Sequence, residues 1–219
     1  MTRHRIDRRQ RGVTTLIIVA VLFFVLSLVA AYTNRSLIFE QRTASNQYRS
    51  TLAFEAAEAG VEWALSMLNS GRIDEACVPS TDVTMTSFRQ RYLTIDPTSG
   101  VVTPTGVLVA DGGSTSWASC VFDGTDWVCS CPTGGGALAA PSGSGVFPAF
   151  RARFVRVSTT QPGIVRLEVN GCTRLTSECL DFPSQAVGGE GRATVQTLIA
   201  LRGGLAAPPV AAVTSRSAS

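Results

Sequence analysis

Residues able to do chemistry are sparse in this chain, and carboxylates come first. Asp123 and Asp126 stand three apart, and Asp74 and Glu75 are adjacent. Paired carboxylates divide general-acid from general-base work when their surroundings push their pKa values apart. No neighbouring residue supplies that push, so the pairs are expected to form a turn and the end of a helix. Asp111, Asp123 and Asp126 offer oxygen ligands for calcium but lack EF-hand spacing. The one histidine is His4, so the usual general base near neutral pH is missing from everything after it. No Gly-x-Ser-x-Gly elbow, Walker loop, Gly-x-Gly-x-x-Gly fingerprint or His-Glu-x-x-His pair occurs. These absences argue against an enzyme and against a cofactor.

Thiols are the second candidates: Cys77, Cys120, Cys129, Cys131, Cys172 and Cys179. Cys129-Ser130-Cys131 resembles half of a metal site. A second close thiol pair and a nearby histidine are both missing, so no metal is expected. An even number of cysteines in an exported domain points instead to disulfides.

The element that places this domain outside the cell lies near the amino terminus. No charge falls between Arg11 and Arg35, and residues 13–34 are long enough as a helix to cross the ~30 Å hydrocarbon core of a bilayer. Arg3, Arg5, Arg8, Arg9 and Arg11 precede the run, opposed only by Asp7. Short basic flanks stay in the cytoplasm, so the amino end is expected inside and the rest outside. The net charge of +3 is misleading, because from Val13 onward 14 arginines face 15 acids. A basic field for nucleic acid is therefore missing from the exported part. Arg151, Arg153 and Arg156 are expected on the solvated face of a strand.

The helix should continue past the membrane, since neither glycine nor proline occurs from Val13 to Ala59. Phe54, Ala57, Val61, Leu65 and Leu68 recur at helical spacing as one apolar stripe. Glu55, Glu58 and Glu62 lie on another face. Gly60 allows a close backbone approach, and Gly71 suits a left-handed stop after Asn69-Ser70. One helix from Val13 to Asn69 would be ~85 Å long.

Beyond it the chain reads as β. Strands are expected near residues 105–110, 116–123, 126–131, 150–158, 163–170 and 192–202. The second and third form a hairpin around Gly124-Thr125 of type II′, with Cys120 opposite Cys129 and Phe122 opposite Trp127. In that register Asp123 faces Asp126, an unfavourable like-charge pair. The fold class is α+β: a long amino-terminal helix whose stripe packs on an antiparallel sheet. Residues 132–146, with Gly134-Gly135-Gly136, read as a surface loop, and residues 206–219 as a disordered tail.

The basic leader ending in Arg11-Gly12, followed by Val13-Thr14-Thr15-Leu16-Ile17, is similar to the class III signal of type IV prepilins. Ala53-Phe54-Glu55-Ala56-Ala57-Glu58-Ala59-Gly60-Val61-Glu62 resembles the Ala-Glu-Ala-Gly helix segment of PilX-like minor pilins. Trp127-Val128-Cys129-Ser130-Cys131-Pro132 is also similar to these proteins. The resemblance implies a leader of residues 1–12, cut by prepilin peptidase between Gly12 and Val13, with methylation of the new amine on Val13. It implies a membrane helix over 13–34, an amphipathic helix over 35–70 and a periplasmic β-rich pilin domain over 71–205. Phe54, Glu58, Gly60, Val61 and Leu65 become the assembly helix. Other minor pilins, the major pilin, the inner membrane and a tip adhesin become the partners.

One departure from the family is informative. Most pilins carry glutamate at the fifth residue after the cut, where this chain has Ile17. A carboxylate in lipid costs roughly 3 kcal/mol, and in the family it is thought to meet the amine of a subunit already in the fibre. A subunit at the tip has no such neighbour, so Ile17 suggests a tip or priming position; otherwise the pairing is dispensable in this branch. The membrane half also lacks the proline that major pilins often have. Six cysteines allow 15 pairings. Under the pilin reading Cys172–Cys179 closes a short loop, Cys120–Cys129 fits the hairpin, and Cys77–Cys131 ties the helix end to the sheet. Two rivals remain: a minor pseudopilin of a type II secretion system, and a secreted binding module cut after Ala31.

Overall fold

The computed structural model describes residues 10–108, 115–133, 138–143, 145–158, 161–185 and 188–201. The expectations for His4 and the leader arginines before Gln10, for Asp111, for Gly134-Gly135-Gly136 and for residues 206–219 lie outside them. The chain divides into two compact units, Met1–Tyr48 and Arg49–Ser219.

Helix α1 (Gln10–Leu68) supplies all the described structure of the first unit. Its few hydroxyls do not interrupt it. Ser27 donates to the Phe23 carbonyl at 2.8 Å, Thr33 to Val29 at 3.0 Å and Thr43 to Phe39 at 3.0 Å. Each polar group is thereby satisfied inside the helix, as an apolar medium requires.

In the second unit the last turns of α1 lie on a five-stranded antiparallel sheet. In chain order the elements are α2 (Phe88–Tyr92), β1 (Leu93–Ile95), β2 (Val102–Pro104), β3 (Val107–Leu108), β4 (Thr115–Ser116), β5 (Ser119–Phe122), β6 (Trp127–Ser130), β7 (Ala149–Arg156), β8 (Ile164–Cys172), α3 (Ser177–Leu180) and β9 (Arg192–Ala200). The main sheet runs β6-β5-β7-β8-β9, while β1-β2 and β3-β4 form separate pairs. Alternation sets the faces. Phe150, Ala152, Phe154, Val165, Leu167 and Val169 are buried in the core beneath α1. Val121, Ala149 and Cys172 form a smaller cluster on the other face with Cys179 and Leu180 of α3.

The helix buries only part of the expected stripe, namely Ala57, Leu68 and half of Val61. Ala53, Ala56, Ala57, Gly60, Ala64 and Leu68 face inward, whereas Phe54 and Leu65 remain 46% and 39% exposed. Small residues win because the backbones come very close. A Cβ on Gly171 would lie 2.2 Å from the Ala53 carbonyl oxygen and 2.5 Å from the Ala57 nitrogen. A Cβ on Gly60 would lie 2.7 Å from the Phe150 and Val169 side chains. At 100° per residue the expected stripe is centred about 70° away from the buried face, less than the rotation of one helical residue, so the two faces overlap at Ala57 and Leu68.

Other expectations are corrected as well. Gly71 is not left-handed; instead Asn69 Nδ2 donates to the Leu65 carbonyl at 3.2 Å and Ser70 Oγ to the Met67 carbonyl at 2.7 Å, closing the helix end. The strand expected over 116–123 is broken at Trp117-Ala118, where the chain passes from β4 into the main sheet. Ala118 is buried there, and Trp117 stacks on Tyr92 with ring centroids 6.2 Å apart. Of residues 105–110, Val107–Leu108 is strand, Thr105 donates to the Tyr92 carbonyl, and 109 and 110 lie outside the described residues. Helix α2 was unexpected, although its capping box was readable. Ser87 Oγ accepts from the Gln90 N–H, and Gln90 Oε1 accepts from the Ser87 N–H.

Candidate functional site

The carboxylates do structural work. Asp123 Oδ1 accepts from the Thr125 and Asp126 N–H groups at 2.8 and 2.9 Å, and Gly124 has φ +107°. The hairpin is thus closed through this side chain as well as through the Asp123 N–H, which donates to the Asp126 carbonyl at 3.0 Å. The Asp126 and Thr125 donors hold the Asp123 carboxyl below its ordinary pKa, which offsets the like charge opposite it. Asp96 caps the β1-β2 turn the same way, with the Ser99 and Thr98 N–H groups lowering its pKa. Asp74 and Glu75 sit in a turn after α1 rather than at a helix end: Asp74 Oδ1 accepts from the Val78 N–H at 2.8 Å, and Glu75 accepts from the Thr133 hydroxyl. No group of three metal-ligating side chains is gathered among the described residues.

The cysteines are all paired. Cys120–Cys129 crosses the β5-β6 hairpin with Cα atoms 4.0 Å apart, Cys172–Cys179 joins β8 to α3 at 6.2 Å, and Cys77–Cys131 joins the loop after α1 to the end of β6 at 5.2 Å. Cys77 has φ +62°, a left-handed conformation costly for a side chain, held by its disulfide and its N–H bond to the Asp74 carbonyl. Arg91 of α2 clamps this region. Its guanidinium donates to the carbonyls of Ile73 at 2.8 Å, Asp74 at 3.0 Å and Cys131. Nothing in the sequence separates Arg91 from its exposed neighbour Arg89. The arginines expected on a solvated face are instead partly engaged. Arg151 pairs with Asp181, Arg153 with Glu168 at 2.6 Å, and Arg156 bonds Thr103 at 3.3 Å.

The remaining site is the surface of α1. Every described side chain from Gly12 to Arg35 is exposed, Ile17 at 56%. Among the described residues this is one helix long and apolar enough to cross a membrane, and none of its apolar window is buried. The family model described as PilX N-terminal matches residues 11–62. This segment is therefore similar to the amino-terminal segment of PilX-like type IV pilins. Neither a curated protein nor a solved structure matches the chain.

Within the matched segment the five residues expected to form an assembly helix separate. Phe54, Glu58 and Leu65 form one exposed face at spacings of four and seven. Gly60 is buried against the sheet, so it holds the β domain to its helix rather than facing a partner. Val61 is half-buried at the margin, packed on the core. Gly12, Val13 and Ile17 all lie within the first turns of α1.

Proposed function

We propose that the chain is a minor pilin, a non-catalytic structural subunit that primes or caps type IV pilus assembly at the fibre tip. The observation that carries this reading is the PilX-type segment on an uninterrupted apolar helix with Ile17 in place of a carboxylate. Prepilin peptidase cuts between Gly12 and Val13 and the Val13 amine is methylated. The subunit then waits in the inner membrane with its amino end cytoplasmic and its domain in the periplasm, an oxidising compartment suited to three disulfides. Phe54, Glu58 and Leu65 then face neighbouring minor pilins and the major pilin, and the domain presents a tip adhesin. A fibre-end subunit has no neighbour whose amine a buried carboxylate could meet, which is the physical sense of Ile17.

Mass spectrometry of the mature protein tests the first step. A methylated Val13 terminus is expected; a Tyr32 terminus would mean a secreted module cut after Ala31 and would end the reading. Deleting the gene tests the second. Loss of surface pili is expected, whereas intact pili with impaired protein secretion would assign the chain to a type II secretion pseudopilus.

A further inference from the structure

The two edges of the main sheet are guarded differently. Strand β6 is four residues long, and just past it the Cys131 N–H donates to the Glu75 carbonyl at 2.7 Å. Strand β9 is nine residues long and, among the described residues, pairs with β8 alone. Its register fixes which backbone groups are left over. The Leu201 N–H donates to the Gly163 carbonyl at 2.7 Å, and the Thr173 N–H to the Gly191 carbonyl at 3.1 Å. In an antiparallel ladder bonded pairs alternate, so the odd-numbered residues of β9 bond to β8. The N–H and C=O groups of Arg192, Thr194, Gln196, Leu198 and Ala200 therefore point away from the sheet. Natural edges are blunted by inward charges, proline or bulges. Strand β9 has no proline and no lysine, Leu198 is 64% exposed, and its one charge is terminal Arg192.

The side chains define what fits. On the face toward α1, Val195 and Ile199 are only partly buried, so among the described residues the core at β9 is left partly open. On the other face Arg151, Arg153, Arg166 and Arg192 outnumber Glu168 and Asp181. A cavity of about 430 Å³ opens there beside β9, lined by Arg153, Glu168, Phe182, Arg192, Thr194 and Gln196. Strand β9 contains no Asp or Glu, so a second copy of it would bring no counter-charge.

We propose that the free edge of β9 is a strand-addition site for an extended segment of another pilus subunit, acidic on the face that carries Arg192 and apolar on the face that carries Val195 and Ile199. Naming the donor a pilus subunit rests on the pilin reading; the demand for an acidic, alternating strand does not.

The test uses the full chain in detergent micelles and a nine-residue peptide alternating valine with threonine and glutamate. Hydrogen exchange at Thr194, Gln196 and Leu198 should slow at least tenfold at saturating peptide, with Val195 and Thr197 unchanged because β8 already protects them. A peptide N-methylated along its bonding edge should give no protection, and one with lysine for glutamate should bind at least tenfold more weakly at low salt. Gln196→Pro removes a donor that has no partner in the sheet and should abolish binding; should it disturb Val195 and Thr197, the N-methylated peptide decides. Unchanged exchange, or equal binding by the N-methylated peptide, overturns the site. Equal binding by the lysine peptide overturns the acidic donor, and concentration-dependent protection without peptide replaces it with a second copy. A chain that takes the strand yet plays no part in pili overturns only the pilin reading.

Discussion

Residues 13–35 and residues 53–68 belong to one helix but meet their surroundings in opposite ways. The first stretch carries large side chains, among them Leu22, Phe23 and Leu26, and buries none of them. The second buries mostly small ones, Ala53, Ala57, Gly60 and Ala64, and leaves Phe54 exposed. Hydrophobicity alone would rank the first as the better core helix. Close approach decides otherwise, because a helix whose backbone nearly touches a glycine strand has no room for leucine. Each large side chain left exposed forgoes about 2 kcal/mol of burial, which makes residues 13–35 a surface suited to lipid or to other helices.

The contrast breaks first at the covalent tie. Replacing Cys77 and Cys131 by serine removes a closure across 54 residues, worth about 4 kcal/mol. Urea unfolding followed by tryptophan fluorescence should register that loss, since Trp63, Trp117 and Trp127 all lie in the second unit. Helical circular dichroism from residues 13–35 in micelles should persist through the transition; if it melts with the tryptophans, the two stretches are not independent. Gly171→Val drives a side chain into the Ala53 carbonyl and should cost about 3 kcal/mol. That lowers the melting temperature by roughly 10 °C, whereas Leu22→Ala in micelles should leave it unchanged.

Arg91→Met strands the carbonyls of Ile73, Asp74 and Cys131 and should cost about 2 kcal/mol by the same unfolding assay. Phe54→Ala and Leu65→Ala sharpen the comparison from the other side. Both side chains are outward, so stability should move by no more than about 0.5 kcal/mol, while surface pili should decline. A large stability loss would mean these residues pack on the domain after all. The smallest effect is acidic. Hydrogen bonds lower the folded-state pKa of Asp123, so its contribution is present above the unfolded carboxylate value near pH 4. It is lost as pH falls through the lower folded value. Asp123→Asn should therefore show a shallower loss of stability between pH 5 and the acid limit than the native chain.

Much of this was readable from residue order. The glycine-free run after Val13 gave the helix, alternation in residues 150–158 gave β7, and the Val, Leu and Ile content of 192–202 gave β9. Cys120 and Cys129 fell opposite each other once Gly124-Thr125 was taken as a turn. The inward face of α1 was misread because periodicity weighs large apolar residues, while the packing selects small ones; the alanines and Gly60 at 53, 57, 60 and 64 were the better signal. Arg91 was unreadable, since its partners are main-chain carbonyls far away in sequence. The Ser87 and Gln90 spacing is a capping box legible from residue order alone, and it marks the start of α2.

The bond between Cys77 and Cys131 encloses the one between Cys120 and Cys129. On the pilin reading, the domain emerges from the membrane helix outward, so Cys77 meets Cys120 before its native partner Cys131 has emerged. The nested pattern therefore requires either that Cys77 stay reduced until Cys131 arrives or that a premature bond be exchanged. In the second case maturation of this domain depends on a thiol isomerase as well as on an oxidant.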